Sequence, residues 1–365
     1  MRAMAHLAAA IRRAPMFRDR SNAIATAILG AAIAYAAFRL VEWGIVNAIW
    51  SLPRDGGSEA CRAARGGGAC WAVITERARF ILCGAYPFEQ QWRPAGACLL
   101  FVSLYAASTV RTLWDWRLLL LWILLPTAAV TLLRGGAFGL SGVPTEFWGG
   151  LPLTLLLSTV GFATAFPFAI GLALGRRSEL PAIRGLCIAY IELVRGVPLV
   201  TFLFMAAMMF PLFVPQGLTV DKLLRAQVAI VMFVAAYVAE VLRGGLQAIP
   251  RGQYEAAASL GLAYWPSTIL IVLPQVLRIS IPSLVNTFIA FFKDTSLVIV
   301  IGLFDLLGAG KAVLVDAKWV GFGAEVYLFV AFIYFAFCYG VSQYSRHLER
   351  LLMADGRHRL VDKTI

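Results

Sequence analysis

The sequence has few charged residues and almost no histidine, and each shortage excludes whole classes of protein. Of its 365 residues 14% are charged and 60% are apolar, whereas an ordinary soluble domain is roughly 25% charged. A soluble fold could not bury this much apolar surface, so a disordered or nucleic-acid-binding chain is excluded and a membrane protein is indicated. The three histidines, His6, His347 and His358, lie in the terminal tails. None is therefore available within the apolar segments for a proton relay, a metal site or a nucleophile–base pair.

The six cysteines do not form a metal-binding pattern. None of them belongs to a Cys-x-x-Cys pair, so the sequence predicts neither a zinc site nor an iron–sulfur cluster. Cys61 and Cys70 lie in a glycine-containing segment, and in an oxidising compartment they could close a small disulfide. The alternative is that both remain free thiols in a flexible loop.

The net charge of +12 is spread between apolar runs, as in the flanks of membrane-spanning helices. A helix needs about 20 mostly apolar residues to cross the hydrocarbon core of a bilayer. Eight apolar stretches predict an all-α integral membrane protein with about eight transmembrane helices. The predicted spans are Ala23–Val41, Ala95–Val110, Leu118–Leu133, Leu151–Leu174, Val197–Val214, Ala226–Leu242, Ile281–Leu303 and Glu325–Tyr344.

Basic residues predict the orientation of these spans, since cytoplasmic loops carry an excess of lysine and arginine. If the N-terminus is cytoplasmic, the arginine-rich segments 2–20, 176–195 and 346–363 all lie inside. The long outside loop at 44–94 weighs less, because long loops are translocated largely regardless of charge. Both termini are therefore predicted to be cytoplasmic, with residues 347–365 as a tail.

The connection between the sixth and seventh predicted spans, residues 243–278, differs from the other loops. Pro250 and Gly252 are expected to end the preceding helix, and Glu255–Leu260 is a strong helix-forming stretch. Gly261 permits a sharp turn, and a proline follows where a new helix can begin, at Pro266. The pattern predicts a short helix, a turn and a second helix outside the bilayer.

The residue spacing in this loop resembles the "EAA" motif, which marks the membrane subunits of binding-protein-dependent ABC importers. The motif reads EAA, three residues, G, nine residues, I, one residue, LP, and every fixed position is matched in register. The matching residues are Glu255, Ala256, Ala257, Gly261, Ile271, Leu273 and Pro274. In that family the loop forms a coupling helix that docks into a groove of the cytoplasmic ATPase subunit, so the resemblance implies the same role here.

Three further segments resemble one branch of that family, the polar amino acid permeases. They are Tyr190–Leu199, Ala236–Gly245 and Ala290–Leu297. The resemblance covers about residues 151–346 and implies a five-helix importer core. Residues 1–150, with three predicted spans and the long outside loop, look like the extension of the longer permease subunit of general L-amino acid importers. The chain departs from the branch at Phe202, where glutamine is common, which implies that a partner permease supplies more of the substrate contacts.

The resemblance implies a permease subunit that carries L-amino acids across the bacterial inner membrane by alternating access. It implies as partners cytoplasmic ATP-binding subunits, a second permease subunit, a periplasmic amino-acid-binding protein and the amino acid, with no nucleic acid. ATP and magnesium are expected on the ATPase subunit, and neither a cofactor nor enzyme activity is expected for this chain. Its nearest P-loop-like run, Gly308–Ala312, lacks the first glycine and the hydroxyl residue after the lysine. The alternative function is an ion-gradient-driven secondary transporter, which would need an intramembrane ion site.

Four charged residues in the branch-specific segments are candidates for a gate. Glu192 with Arg195, and Glu240 with Arg243, are spaced i,i+3, which places each pair on one helix face. Each pair is expected either to fix a helix end at the membrane interface or to belong to an intracellular gate around the coupling loop.

A second group of candidates lies near the middle of the seventh predicted span. A charge at that depth costs at least about 2.5–3.5 kcal/mol, so Lys293 and Asp294 should face a partner or a watery cavity. One hypothesis is substrate contact, in which Lys293 binds the α-carboxylate and Asp294 the α-ammonium, while Thr295 and Ser296 add hydroxyl hydrogen bonds. The alternative is a structural Lys–Asp pair bonded to neighbouring helices.

Overall fold

The computed structural model describes residues 19–52, 58–136, 139–215 and 219–361, with side chains up to residue 350, and its regular structure there is helical. The α-helices are α1 (Arg20–Val41), α2 (Glu59–Ala63), α3 (Ala72–Cys83), α4 (Trp92–Thr109), α5 (Trp116–Arg134), α6 (Gly150–Gly175), α7 (Pro181–Arg195), α8 (Leu199–Phe204), α9 (Phe210–Phe213), α10 (Lys222–Ala248), α11 (Arg251–Ser259), α12 (Tyr264–Pro266), α13 (Leu273–Asp294), α14 (Leu306–Val313) and α15 (Gly323–Val361). π-helical turns occupy Glu42–Val46, Met205–Met209 and Ser267–Val272, and 3-10 turns occupy Phe88–Gln90, Arg111–Leu113, Thr145–Phe147 and Thr295–Ile301.

Six helices within the described residues are long and apolar enough to cross a bilayer. They are Arg20–Val46, Trp116–Arg134, Gly150–Gly175, Lys222–Ala248, Tyr264–Ile301 and Gly323–Arg350. A seventh span results if α7 and the apolar run Leu199–Phe213 are taken together, although the two are bent by 99°. Six of the eight predicted spans are thereby confirmed as membrane-length helices, and the all-α membrane fold with them.

Two predicted spans do not pass as membrane-crossing helices on their own. Ala95–Val110 lies in α4, whose first turn contains Arg93 and Pro94 and makes the helix too polar to be one of the six. The predicted span Val197–Val214 corresponds to the run Leu199–Phe213, which is only the second arm of the bent pair that begins with α7. The bend follows from Pro198, which lacks an N–H and disfavours a helical conformation at the residue before it.

The seventh predicted span begins earlier than its hydropathy indicated. Its helical run starts at Tyr264 and continues through α13 to Ile301, whereas the prediction began at Ile281. Because α10 also continues to Ala248, the loop that joins the two helices is shorter than the predicted 243–278. α11 is therefore held close to the ends of two membrane-length helices.

Glycine and alanine bring α6, α10 and α13 close together. A Cβ placed on Gly161 of α6 would lie 2.6 Å from Ile230 Cγ2, and one on Gly245 of α10 would lie 2.3 Å from Ser280 Oγ. Such contacts are possible only where the residue has no side chain, and small residues at helix crossings are typical of membrane proteins. The crossings fix where the ends of α6, α7 and α10 project their charged side chains.

The chain divides into two compact units, the smaller of which consists of Met1–Glu76 and Asp316–Glu325. In its described part Cys61 and Cys70 are joined by a disulfide, and both residues are buried. The disulfide hypothesis is confirmed, and the alternative of two free thiols is wrong.

Polar contacts attach the disulfide-bonded segment to residues 318–325, which lead into the first turn of α15. The Cys70 N–H donates a hydrogen bond of 2.9 Å to the buried carboxylate of Glu325. Lys318 forms an ion pair with Glu76 at 2.7 Å. The smaller unit is thus held by one covalent link and by contacts between segments that are distant in sequence.

Replacing Cys61 and Cys70 together by serine is expected to loosen this segment. A disulfide that closes so short a loop stabilises the folded segment by about 3 kcal/mol, because it limits the unfolded chain. Trypsin should therefore cut after the exposed Arg62 and Arg65 several-fold faster in the double variant, as followed by mass spectrometry of the detergent-solubilised protein. The matched control is Cys83→Ser, which removes a free cysteine. Equal cleavage rates in wild type and double variant would contradict the stabilising role.

Candidate functional site

The EAA segment, residues 251–266, folds as the predicted helix, turn and helix. α11 follows Pro250, which has an extended conformation and cannot donate a backbone hydrogen bond. The chain then turns at Gly261, whose φ of +73° lies in the left-handed region that favours glycine. The second helix begins at Tyr264, slightly before the predicted start at Pro266.

An apolar patch on the EAA segment is uncovered by the described part of the chain. Leu260, Tyr264 and Trp265 have 77%, 59% and 60% of their surface exposed. A Cβ on Gly261 would meet no atom within 4 Å, so the space beside the turn is open and only the backbone conformation restricts this residue. Contiguous exposed apolar surface with polar surroundings marks an interaction site.

The first three motif residues divide between the surface and the interior. Glu255 and Ala256 are exposed, whereas Ala257 is buried. The Ala257 carbonyl also accepts the N–H of Leu262 at 3.1 Å across the turn. α11 therefore turns one face outward and is anchored by the other.

The last three motif residues lie beyond the turn and do not belong to the exposed patch. Ile271 is half-buried in a π-helical turn, and Leu273 and Pro274 open α13. The adjacent Gln275 donates a hydrogen bond of 3.1 Å to the Gln253 side chain on α11. This end of the motif thus positions α11 against the following membrane-length helix.

A second constellation, the Glu240 cluster, consists of Arg176, Glu192, Arg195, Glu240 and Arg243. Arg243 Nη2 lies 2.5 Å from Oε1 of Glu240. Arg176 Nη1 and Arg195 Nη1 lie 3.4 Å and 3.6 Å from its other oxygen, Oε2. Arg176 Nη1 also pairs with Glu192 at 3.0 Å. One carboxylate on α10 therefore joins that helix to the ends of α6 and α7.

Only one of the two predicted i,i+3 pairs forms. The Glu240–Arg243 pair is confirmed, but Glu192 pairs with Arg176 and Arg195 pairs with Glu240, so the predicted Glu192–Arg195 pair is wrong. The reason is that the end of α6 brings a third arginine between the two helices. Sequence analysis treated Arg176 only as a cytoplasmic flanking charge, although its place directly after an apolar helix was a usable signal.

The cluster is partly shielded from solvent. The side chains of Glu240, Arg176 and Arg243 are 22%, 22% and 27% exposed, whereas that of Glu192 is 56% exposed. Shielded ion pairs are screened less by salt and interact more strongly than the 0.2–1 kcal/mol or so of an exposed pair. Glu240 is thus the shared ion-pair partner of the three arginines of the cluster.

Arg177, which follows Arg176 in the sequence, contacts the EAA segment. Its Nη1 donates to the Tyr254 hydroxyl at 2.9 Å, and its guanidinium lies 5.4 Å from the centre of the Tyr254 ring. The same nitrogen is 3.4 Å from the Leu246 carbonyl on α10. Consecutive arginines at the end of α6 therefore contact the Glu240 cluster and α11 respectively.

The four candidates at 293–296 are not brought together as one site. Lys293 and Asp294 are the last two residues of α13. Lys293 is exposed and Asp294 is half-buried. No ion pair joins the two within 4 Å in the described chain. Thr295 is fully buried, and its hydroxyl donates to the Phe292 carbonyl at 2.8 Å. Ser296 is half-buried in the 3-10 turn. The Lys293–Asp294 pair that the structural alternative requires is therefore absent from these residues.

Asp294 borders a small cavity between α10 and α13. The cavity has a volume of about 130 Å³ and is lined also by Phe233, Tyr237 and Thr287. The Phe233 ring lies 4.7 Å from that of Tyr237 and 6.1 Å from that of Phe202. Phe202 stands where the polar amino acid permeases commonly have glutamine. Its aromatic ring therefore packs against Phe233, one of the residues that line the cavity.

The P-loop-like run, Gly308–Ala312, forms part of a helix whose glycines are packed in the interior. Gly308 and Gly310 are buried within α14. The carboxylate of Asp305, itself fully buried, accepts the Gly308 N–H at 2.8 Å and the Tyr334 hydroxyl at 2.9 Å. It lies at the helix N-terminus, the position at which a P-loop holds phosphate.

Comparison with known proteins shows matches over most of the chain. The family of binding-protein-dependent transport system inner membrane components matches residues 165–353, more than half of the chain. The inner membrane amino-acid ABC transporter permease protein YhdY of Escherichia coli (strain K12) is 48% identical over 314 residues, covering 85% of this chain and 84% of the relative. The glutamate/glutamine/aspartate/asparagine transport system permease protein BztC of Rhodobacter capsulatus is 39% identical over 351 residues, 80% of each chain.

A shorter relative matches a smaller part of the chain. The L-cystine transport system permease protein TcyB of Bacillus subtilis (strain 168) is 33% identical over 214 residues, which are 58% of this chain and 89% of the relative. The matches to YhdY and BztC are longer than residues 151–365, so these two relatives share part of the N-terminal extension as well. Phe202 and the residues of the Glu240 cluster all lie inside the family match.

Glu240→Gln is expected to destabilise the protein by about 1–3 kcal/mol, because it leaves three arginines facing one exposed carboxylate. Glu192→Gln is the matched control, since within the described residues the Glu192 carboxylate forms an ion pair with Arg176 alone and is the more exposed of the two acids. Thermal unfolding of the purified protein in detergent, followed by tryptophan fluorescence, gives the comparison. A melting temperature lowered equally by both variants would contradict the central place of Glu240.

Proposed function

Since the chain belongs to the family of inner membrane components of binding-protein-dependent transport systems, we propose that it is the permease subunit of an ATP-driven importer of L-amino acids. The observation that carries the proposal is the EAA segment, an exposed helix and turn in the register of the family motif, with an uncovered apolar patch. The relatives support the substrate class, since their names refer to amino acids, to four acidic or amide amino acids, and to L-cystine. Because these names differ, we favour a general L-amino acid substrate.

The membrane component of such a system works with other subunits. Its family places it beside a substrate-binding protein and an ATP-hydrolysing subunit, so the chain is a transporter subunit and not an enzyme. We propose that the ATP-binding subunits are cytoplasmic and hold the nucleotide and magnesium, that the binding protein is periplasmic, and that a second permease subunit completes the pathway. The departure at Phe202 supports a partner permease that supplies polar substrate contacts.

The distribution of basic residues supports an orientation in the inner membrane. Arginine-rich segments flank the α6–α7 connection and both chain ends, as expected for the cytoplasmic side. Two spans, Tyr264–Ile301 and Gly323–Arg350, separate α11 from the C-terminal tail, so with a cytoplasmic C-terminus α11 also faces the cytoplasm. Because the Glu240 cluster joins the end of α6 to α10, a cytoplasmic N-terminus as well requires that both α4 and the bent pair cross the bilayer. The apolar patch formed by Leu260, Tyr264 and Trp265 is then accessible to a cytoplasmic ATPase subunit.

The proposed cycle couples the EAA segment to alternating access. ATP binding closes the ATPase subunits, and α11 moves with them as a rigid element. The Glu240 cluster, which joins the ends of α6 and α7 to α10, acts as an intracellular gate whose contacts rearrange as the helices rock. The permease is then a two-state switch, biased by nucleotide at one site and by the loaded binding protein at another.

Transport in proteoliposomes tests this function. The permease, reconstituted with its ATPase subunit and binding protein, should import amino acids when ATP is enclosed and should continue after an ionophore collapses ion gradients. Import that needs an ion gradient but no ATP would overturn the proposal in favour of a secondary transporter, an alternative that the family match does not support.

Gly261→Asp provides the residue-level form of that test. The variant should insert into the membrane, because no atom lies within 4 Å of the added Cβ, but aspartate is strained at a φ of +73° and adds charge beside the apolar patch. We expect loss of ATPase copurification or of substrate-stimulated hydrolysis, or of both. Gly252→Asp, at a position with equally open space and no left-handed backbone, is the matched control. Wild-type copurification and hydrolysis in Gly261→Asp would contradict docking at this turn.

Asp294→Asn tests the proposed contact with the substrate α-ammonium. Because no ion pair joins Asp294 to Lys293 among the described residues, Asp294→Asn and Lys293→Met should each be abundant and still bind the ATPase. Asp294→Asn should lose most uptake, since the cavity between α10 and α13 then lacks its carboxylate. The double variant should stay inactive. Recovery of uptake in the double variant would contradict substrate contact and favour a structural pair.

A further inference from the structure

We propose that the consecutive residues Arg176 and Arg177 form the mechanical link that transmits movement of α11 to the Glu240 cluster. The inference rests on the proposed function, because it assigns a coupling role within an ATP-driven permease. It concerns positioning residues, since neither arginine belongs to the exposed docking patch. The observation behind it is that two adjacent side chains contact the two parts of the site that must communicate.

The Arg177 side chain attaches to α11 by two kinds of contact. Its guanidinium donates to the Tyr254 hydroxyl at 2.9 Å and lies 5.4 Å from the ring centre, so it meets both the polar and the apolar part of Tyr254. The 3.4 Å contact with the Leu246 carbonyl adds the end of α10. Because the guanidinium is planar and carries several donors, it can hold both partners at once.

The Arg176 side chain connects the end of α6 to the Glu240 cluster. Its Nη1 lies 3.0 Å from Glu192 on α7 and 3.4 Å from Glu240 on α10. A shift of the end of α6 must therefore change both distances. Glu240 also holds Arg195 and Arg243, so a change at Arg176 alters the balance of the whole cluster.

The backbone between the two arginines has little freedom to absorb such a shift. The N–H of Arg176 donates to the Leu172 carbonyl at 2.9 Å, and that of Arg177 to the Leu174 carbonyl at 3.0 Å, so both residues remain bonded to α6. A Cβ on Gly175 would lie 2.5 Å from Cys187 Sγ, which shows how closely the end of α6 packs on α7. A stiff connection transmits displacement.

A simpler role for the pair is to place positive charge at the C-terminus of α6, where it complements the helix dipole. That role requires a charge but no particular hydrogen-bond geometry, so lysine would serve equally well. The proposed link requires the guanidinium to reach Tyr254 and Leu246 together. The two roles therefore differ in their response to an arginine-to-lysine substitution.

Coupling measurements on the complete importer in proteoliposomes distinguish them. Arg177→Gln and Arg177→Lys should both assemble with the ATPase and keep basal hydrolysis, while the amount of amino acid imported per ATP hydrolysed falls roughly tenfold. Tyr254→Phe, which removes only the hydroxyl, should cause a smaller loss. Arg177→Gln with Tyr254→Phe should be no worse than Arg177→Gln alone, because both remove the same contact. Arg184→Gln, an exposed arginine on α7, is the matched control and should retain coupling.

Three results would overturn the link. Wild-type coupling in Arg177→Gln would show that the contact with Tyr254 transmits nothing. Wild-type coupling in Arg177→Lys with loss in Arg177→Gln would assign Arg177 to the helix-dipole role. Loss of ATPase binding in both Arg177 variants would make the residue part of the docking surface. Failure of the proposed function is distinguishable, because the wild-type importer itself would then show no ATP-driven uptake.

Discussion

The structure depends on the carboxylate of Glu240, which is mostly withdrawn from solvent at the point where α6 and α7 end beside α10. Such a group is costly to bury unless opposite charges surround it, and here Arg176, Arg195 and Arg243 do so from α6, α7 and α10. The requirement fixes the relative positions of these ends, and the close crossing at Gly245 brings α13 to the same place. The cluster is therefore the structural junction of this end of the core, and movement of any one partner would leave the remaining charges less well paired.

The position of the EAA segment follows from the same junction. α11 joins α10 to the next membrane-length helix through short connections, and Arg177, next to the cluster, contacts it through Tyr254. The segment thus exposes an apolar patch on one side while its other side is attached to the charged junction. In the proposed function this arrangement lets a partner that binds the patch act on the gate without touching it. It also accounts for the division of the motif between Glu255 and Ala256, which are exposed, and Ala257 and the residues after the turn, which position α11.

Sequence analysis predicted well what local chemistry determines. The helix, turn and helix of the EAA segment follow from Pro250 and Gly261, and the i,i+3 pair Glu240–Arg243 from one helix face. It failed where the partner lies on another helix, since the sequence around Glu192 favours its i,i+3 neighbour Arg195 over Arg176 at the end of α6. It also did not anticipate that α13 changes to a 3-10 turn directly after Lys293 and Asp294, because hydropathy does not reveal such a change. The bend after α7 was missed because the apolar run around Pro198 is long enough to resemble one straight span.

The central claim is that the turn after α11 faces the cytoplasm and is covered by an ATPase subunit. The most direct test is labelling of Leu260→Cys by a membrane-impermeant maleimide, in a chain whose free cysteines, Cys83, Cys98, Cys187 and Cys338, are replaced by serine. The account predicts labelling in inside-out vesicles that contain the permease alone, protection once the ATPase subunit is assembled, and no labelling in right-side-out vesicles. Labelling from the outside, or equal labelling with and without the ATPase subunit, would contradict it.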